Sequence, residues 1–241
     1  MENNVYAGPG IKLSDIVNPY TLNIFTDASI LNRKKYYDGC YGAIAVYDDQ
    51  VIDSYYRIAS ETTNNNSEIK GLRAGVFLAL KYKPLYRVIN IFSDSQISVF
   101  GIRDRLLYWS VDQITQQFKG KSGDPISSQD IFVEIVYLML QYDLRVNFIH
   151  QKGHVKNDIR SLREAEHVFR TSNGIRGRID LNMIRFISKW NDIVDTSSRS
   201  TLLAYDQQMK YKDPIEFFVA PFDRSKFSQL SKNTIKKGVY E

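Results

Sequence analysis

Apolar positions along the chain alternate between short runs of period two and longer runs of period three to four. The run Leu22 to Phe25 predicts a strand over about 21–27, and further strands follow at about 41–47 and 51–58. Residues 30–39 form a polar, basic loop between the first two strands, and Asp48-Asp49-Gln50 is a turn suited to an antiparallel hairpin. Together these predict a three-stranded antiparallel meander. The polar stretch Glu61 to Ser67 is rich in helix-capping residues, and from Glu68 the pattern becomes helical until Lys83-Pro84. Glu68 is therefore expected in a first helical turn. A fourth strand is expected at about 87–93, so a helical crossover joins strands three and four.

Residues 95–118 carry apolar positions at broken helical spacing (Ile97, Phe100, Leu106, Trp109, Ile114), followed by a basic loop at 119–125. Ser127 to Asp130 is expected to cap a helix over 131–142, and Leu144 to Ile149 alternates as a fifth strand. Helices are predicted at 161–171 and 180–199, separated by Asn173-Gly174-Ile175-Arg176-Gly177. A short strand is expected at 215–219 and a weakly basic segment at Lys232 to Lys237. The pattern divides the chain into an arm at 1–20, a domain at 21–204 and a C-terminal extension at 205–241. The predicted class is α/β: a five-stranded mixed sheet, three strands antiparallel and then two parallel, flanked by helices.

Four acids fall at the ends of these elements: Asp27, Glu68, Asp94 and Asp195. Two apolar strands that each end in an aspartate deliver carboxylates to one place, and hard divalent cations take oxygen ligands. A single acid at an element end is as easily a cap or a surface charge. The order and the element types of all four point instead to a shared site.

Several separate pieces of sequence resemble type 1 ribonuclease H. Phe25-Thr26-Asp27-Ala28-Ser29 is similar to that family's first motif, and Gly39-Cys40-Tyr41-Gly42-Ala43 to the start of its second strand. Thr63-Asn64-Asn65-Asn66-Ser67-Glu68 resembles its Thr-Asn-Asn-x-x-Glu helix start, and Phe92-Ser93-Asp94-Ser95-Gln96 its Asp-Ser-Gln corner. Lys152-Gly153-His154 matches its mobile loop, and Trp190-Asn191-Asp192-Ile193-Val194-Asp195 its last helix. The resemblance covers roughly residues 20–200 and implies the ribonuclease H-like fold.

It also implies a function. The family cuts the RNA strand of RNA–DNA hybrids with two Mg²⁺ ions, Mn²⁺ substituting, and leaves 5′-phosphate and 3′-hydroxyl ends. By resemblance Asp27 would bridge both ions, Glu68 and Asp94 would hold the ion nearer the leaving oxygen, and Asp195 the ion that activates water. His154 would assist proton movement or product departure. Asn64, Gln96 and the backbone of Ala28 and Ser29 would contact the 2′-hydroxyl, and Thr63 and Asn65 would grip a phosphate of the DNA strand. The alternative for Asn64 to Asn66 is a plain capping loop. Two departures stand out: Ala28 occupies a position where the family often has glycine, and 40 residues separate His154 from Asp195, well beyond the family's spacing.

Composition sharpens this picture in one place. The net charge is +5, and residues 151–190 hold nine Lys/Arg against four acids, so the basic excess is concentrated there. Lys156, Arg160, Arg163, Arg176 and Arg178 belong to the insertion at 156–189, which is expected to be a lid or arm adding phosphate contacts, or else a docking element for a protein partner. Arg103, Arg105, Trp109, Lys119 and Lys121 resemble the basic handle of some family members, although a core role suits Trp109 better. Cys40 is the single cysteine, which excludes internal disulfides and cysteine-rich zinc sites. No apolar run approaches the roughly 18 residues of a membrane span, and the N-terminus lacks a secretion signal, so a cytoplasmic protein is expected. The oligomeric state stays open. Two other functional readings stay open as well: a DNA-directed nuclease on the same sheet, of junction-resolvase or integrase type, and a non-catalytic nucleic-acid-binding module.

Overall fold

The computed structural model describes residues 21–32, 37–60, 62–105, 109–112, 115 and 117–211. The expected arm at 1–20, the strand at 215–219 and the basic segment at Lys232 to Lys237 lie outside these residues. Strands β1 (Thr21–Asn32), β2 (Tyr37–Tyr47) and β3 (Gln50–Ala59) form the antiparallel meander. Asp48 and Asp49 both take positive φ, as a two-residue hairpin turn requires. Helix α1 (Asn64–Tyr82) crosses over to β4 (Val88–Ser93), which lies parallel to β1. Then follow α2 (Gln96–Phe100), a π-helical turn at Gly101–Arg105, a ribbon of β5 (Ser110–Val111) and β6 (Phe118–Lys119), α3 (Gln129–Gln141), β7 (Asn147–His150), α4 (Ile159–Ser172) and α5 (Leu181–Tyr211). The main sheet has five strands in the order β3-β2-β1-β4-β7, antiparallel and then parallel, as expected.

Strand alternation splits the core in two. Leu22, Ile24 and Ala28 face α1 and α3, whereas Phe25 joins Phe92, Ile149 and residues of α4 and α5 on the other face. Along that second face the three parallel strands are stacked in tiers. Asn23, Asn90 and Asn147 are register partners and form a ladder, with Asn90 Nδ2 donating to Asn23 Oδ1 and Asn147 Nδ2 to Asn90 Oδ1, both at 2.9 Å. Two residues further on, Phe25 stacks on its register partner Phe92, with ring centroids 4.7 Å apart. Two residues beyond these come Asp27 and Asp94.

Five expectations need correction. Residues 95–118 are not one broken helix: the helix ends by Arg105, and Trp109 and Phe118 pack together and hold the β5–β6 ribbon, Trp109 edge-on to Phe132 at 5.2 Å. The first two strands run into the predicted 30–39 loop, because backbone pairing continues to Asn32 and Tyr37. Helix α1 starts at Asn64, so Glu68 opens its second turn instead of lying in the first. Ser128 precedes α3 in the left-handed region and makes no capping bond; its hydroxyl instead accepts a hydrogen bond from Asn66 Nδ2 at 2.9 Å. The insertion is not a free arm, since Leu162, Ala165 and Phe169 of α4 and Ile184 and Ile187 of α5 are buried in the second core.

A buried asparagine fastens that insertion. Asn173, at the C-cap of α4, donates from Nδ2 to the carbonyls of His150 and Phe169, both at 2.7 Å. Its Oδ1 accepts from the His150 N–H at 3.0 Å and from Arg103 at 2.9 Å. The end of α4 is thereby tied to the end of β7. Among the described residues no helix is long and apolar enough to cross a membrane.

Candidate active site

Side-chain parity carries Asp27 and Asp94 to the same face of neighbouring strands. Asp27 sits on β1 opposite Gly42, and Asp94 follows the last residue of β4. Helix α1 approaches β1 closely at Gly71, where an added Cβ would lie 3.1 Å from the Asp27 carbonyl oxygen. One turn earlier on α1, Glu68 reaches the same spot. Oxygens of Asp27, Glu68 and Asp94 lie within 4.8 Å of one another. Asp195, midway along α5, completes the group by hydrogen-bonding the Asp27 carboxyl.

The electrostatics of this group are strained. Burial, followed by the charge of Asp94, pushes the Asp27 carboxyl up to about 8, and the Asp195 charge adds to the effect. Burial, then Asp27, Asp94 and Asp195, raises Glu68 well above the usual carboxylate range. Asp94 is raised by burial, opposed by His154 and by a hydrogen bond from Asn191. Glu68 is only 9% exposed, and its Oε2 is buried without a hydrogen-bond partner. A buried, unpartnered carboxylate oxygen among three other acids fits a divalent cation, which would neutralise the cluster and supply the missing partner. The donor set is all oxygen, which suits Mg²⁺ or Mn²⁺.

The loop after β7 closes over this site. Gly153 passes so near Asp94 that an added Cβ would lie 2.1 Å from Asp94 Oδ2. His154 follows at positive φ, its side chain 81% exposed, with Nδ1 3.8 Å from Asp195 Oδ2. The long insertion therefore leaves His154 beside the acids. A cleft of about 370 Å³ opens next to it, lined by Ser29, His154, Asp195 and Arg199 among others.

The remaining sequence candidates differ in exposure. Ala28 is nearly buried and Ser29 half-buried. Thr63 N-caps α1 by accepting the Asn66 N–H at 3.2 Å, and Asn64, Asn65 and Gln96 are exposed at helix starts. In the insertion, Lys156, Arg160, Arg163, Arg176 and Arg178 are all exposed. Of these five, Lys156 lines a cleft beside α5.

Sequence reasoning missed several supporting residues. Arg199 follows Asp195 by one turn of helix, so its place was readable from the period. Gln151 Nε2 donates to Asn191 Oδ1, and Asn191 in turn bonds Asp94, a chain whose members are distant in sequence. His150 is buried, its imidazole pushed down to about 4 chiefly by burial, with Nε2 3.3 Å from the Asp94 carbonyl. No local pattern announces that contact.

A family model for RNase H matches residues 19–167. Asp195 lies beyond the match, so its place in the site rests on geometry. No curated protein matches the chain. Among solved structures, the foamy viral protease–reverse transcriptase in complex with RNA/DNA hybrid is similar at 12% identity and a TM-score of 0.50. That match covers 72% of this chain and 22% of the viral one, so the chain spans about a fifth of that relative's length. LC11-RNase H1 in complex with RNA/DNA hybrid is 17% identical, with a TM-score of 0.40 over 54% of this chain and 85% of the other. RNase H1 from the halophilic archaeon Halobacterium salinarum is 15% identical, with a TM-score of 0.39 over 62% and 93%. At such identities the first of these likenesses speaks to fold alone. The family model matches more than half of the chain, and the chain belongs to the RNase H family.

Proposed function

We propose that this protein is a metal-dependent endonuclease that hydrolyses the RNA strand of RNA–DNA hybrids. The observation that carries this reading is the convergence of Asp27, Glu68 and Asp94, with Asp195 against Asp27, from four separate parts of the chain. In this reading Asp27, Glu68, Asp94 and Asp195 would hold divalent cations, which would supply water activation and Lewis-acid stabilisation for hydrolysis to 5′-phosphate and 3′-hydroxyl ends.

The chain's own residues orient and move protons. Asn191, held by Gln151, fixes the Asp94 carboxylate through a hydrogen bond. His154 lies on the exposed side of Asp195, where its imidazole can accept or return a proton as product departs. Asn64 and Gln96 each offer an amide donor and acceptor to a 2′-hydroxyl, which is what separates RNA from DNA. The Thr63 hydroxyl accepts a backbone N–H and keeps its own proton for a phosphate oxygen, with Asn65 beside it.

The test is a substrate panel with Mg²⁺: hybrid, double-stranded DNA, double-stranded RNA and a four-way junction. Cleavage of the hybrid, lost in Asp94→Asn, is expected. Cleavage of the junction alone would favour a DNA-directed enzyme, and binding without metal-dependent cleavage would leave a non-catalytic module.

A further inference from the structure

A second cleft, of about 360 Å³, lies between the insertion, α5 and the β2–β3 turn. It adjoins the acidic group without belonging to it. Its wall includes Asp192, which precedes Asp195 by three residues on α5 and so shares its side of the helix. Phe186 contributes an apolar surface, while Lys156, Arg185 and Lys189 bring positive charge. Lys156 and Arg185 are exposed, and Arg185 is steadied by the neutral amide oxygen of Asn182 at 2.8 Å. Neither has a carboxylate within ion-pair distance among the described residues.

Lys189 shows what this rim can grip. Its Nζ lies 2.9 Å from both oxygens of Asp49, and Trp190 Nε1 donates to Asp49 Oδ1 at 3.0 Å. An oxyanion from the β2–β3 turn is thus already seated at the edge of the cleft, while two further cations beside it make no close ion pair among the described residues. An apolar wall under a cationic rim is the chemistry of a nucleotide with its phosphate.

We propose that this cleft binds one nucleotide of the strand leaving the active site, with its phosphodiester on Lys156 and Arg185 and its sugar or base against Phe186. The proposal rests on the nucleic-acid reading above and gives the basic insertion a defined contact. It extends the footprint from the acids, past His154, to a surface built from the insertion and the first half of α5.

The experiment measures hybrid affinity against salt in the Asp94→Asn protein with Mg²⁺, so that the strand stays intact. The double variant Lys156→Ala/Arg185→Ala is expected to bind roughly tenfold more weakly at low salt, with the slope of log K against log salt reduced by about one to two. Arg87→Ala/Arg145→Ala removes two exposed charges just before β4 and β7, at the other end of the sheet, and should leave the slope unchanged. Asp49→Asn frees Lys189 and should tighten binding and steepen the slope. Equal slopes for the Lys156/Arg185 variant and its parent, or an equal loss in the Arg87/Arg145 control, would overturn the proposal. So would saturable binding of free adenosine monophosphate that vanishes with Lys156 and Arg185, since the cleft would then serve a free nucleotide. The hydrolysis reading is judged separately: a parent chain that cleaves no hybrid, yet keeps the slope difference, loses the enzyme and retains the cleft.

Discussion

Gly153 lies against Asp94 with no room for a side chain: a methyl group there would fall 2.1 Å from Oδ2. The Gly153→Ala protein must move either the loop or the carboxylate. Displacement of catalytic groups by about 1 Å costs on the order of a hundredfold in rate. Hybrid cleavage is expected to fall by about that factor. Stability should fall too, by about 1–3 kcal/mol, the usual cost of forcing a group into a packed contact. Paired rate and urea-unfolding measurements check this, and an unchanged rate would show that the loop's approach has no bearing on the chemistry.

The acidic group makes the metal-free protein sensitive to pH in an unusual direction. Burial and the neighbouring acids raise Asp27 from its ordinary 3.8 to about 8, and Glu68 shifts the same way. Between those limits the folded protein keeps protons that the unfolded chain has released. Stability in EDTA should therefore decline as pH rises from about 4 towards 8, and level off above the folded value. Asp27→Asn should flatten the decline. Urea titrations across that range measure it, and stability rising with pH through the window would contradict the geometry.

Divalent metal should reverse this burden. A ligand that binds only the folded form at 100 times its Kd adds about 2.7 kcal/mol. Melting temperature should climb with Mg²⁺ concentration in the parent chain and stay flat in Asp94→Asn. Thermal melts over a Mg²⁺ series give the answer directly.

Asn173 provides a test of how the insertion is held. Asn173→Ala removes partners from the buried His150 N–H and carbonyl and from Arg103. Each unmet buried group costs about 1–3 kcal/mol, so a loss of about 3 kcal/mol is expected in urea unfolding. Wholesale removal of 156–189 is a harsher change, because it strips Leu162, Phe169, Ile184 and Ile187 from the second core. A deletion protein that stayed folded would contradict that packing.

The convergence of Asp27 and Asp94 was legible in sequence because an apolar strand with period two carries Phe25 and Asp27, or Phe92 and Asp94, to one face. Asp195 was reached only through the resemblance of Trp190 to Asp195 to a family motif. What escaped depends on partners far along the chain. Trp109 packs on both Phe118 and Phe132, contacts that local helical spacing did not reveal. Ser128 looks like a cap, yet its hydroxyl is engaged by Asn66, 62 residues away. Arg103 and Asn173 meet across 70 residues and pin the end of α4, whose Leu162, Ala165 and Phe169 are buried in the second core.

The tiered strands have a consequence for motion. The spacing of Asp27 from Asp94 is inherited from the hydrogen-bonded step between β1 and β4, about 4.8 Å, and is locked from below by the Phe25–Phe92 stack and the asparagine ladder. Loops can breathe without changing it. Amide hydrogens of β1 and β4 beneath the acids should accordingly be among the last in the molecule to exchange with solvent, opening only when the whole domain unfolds.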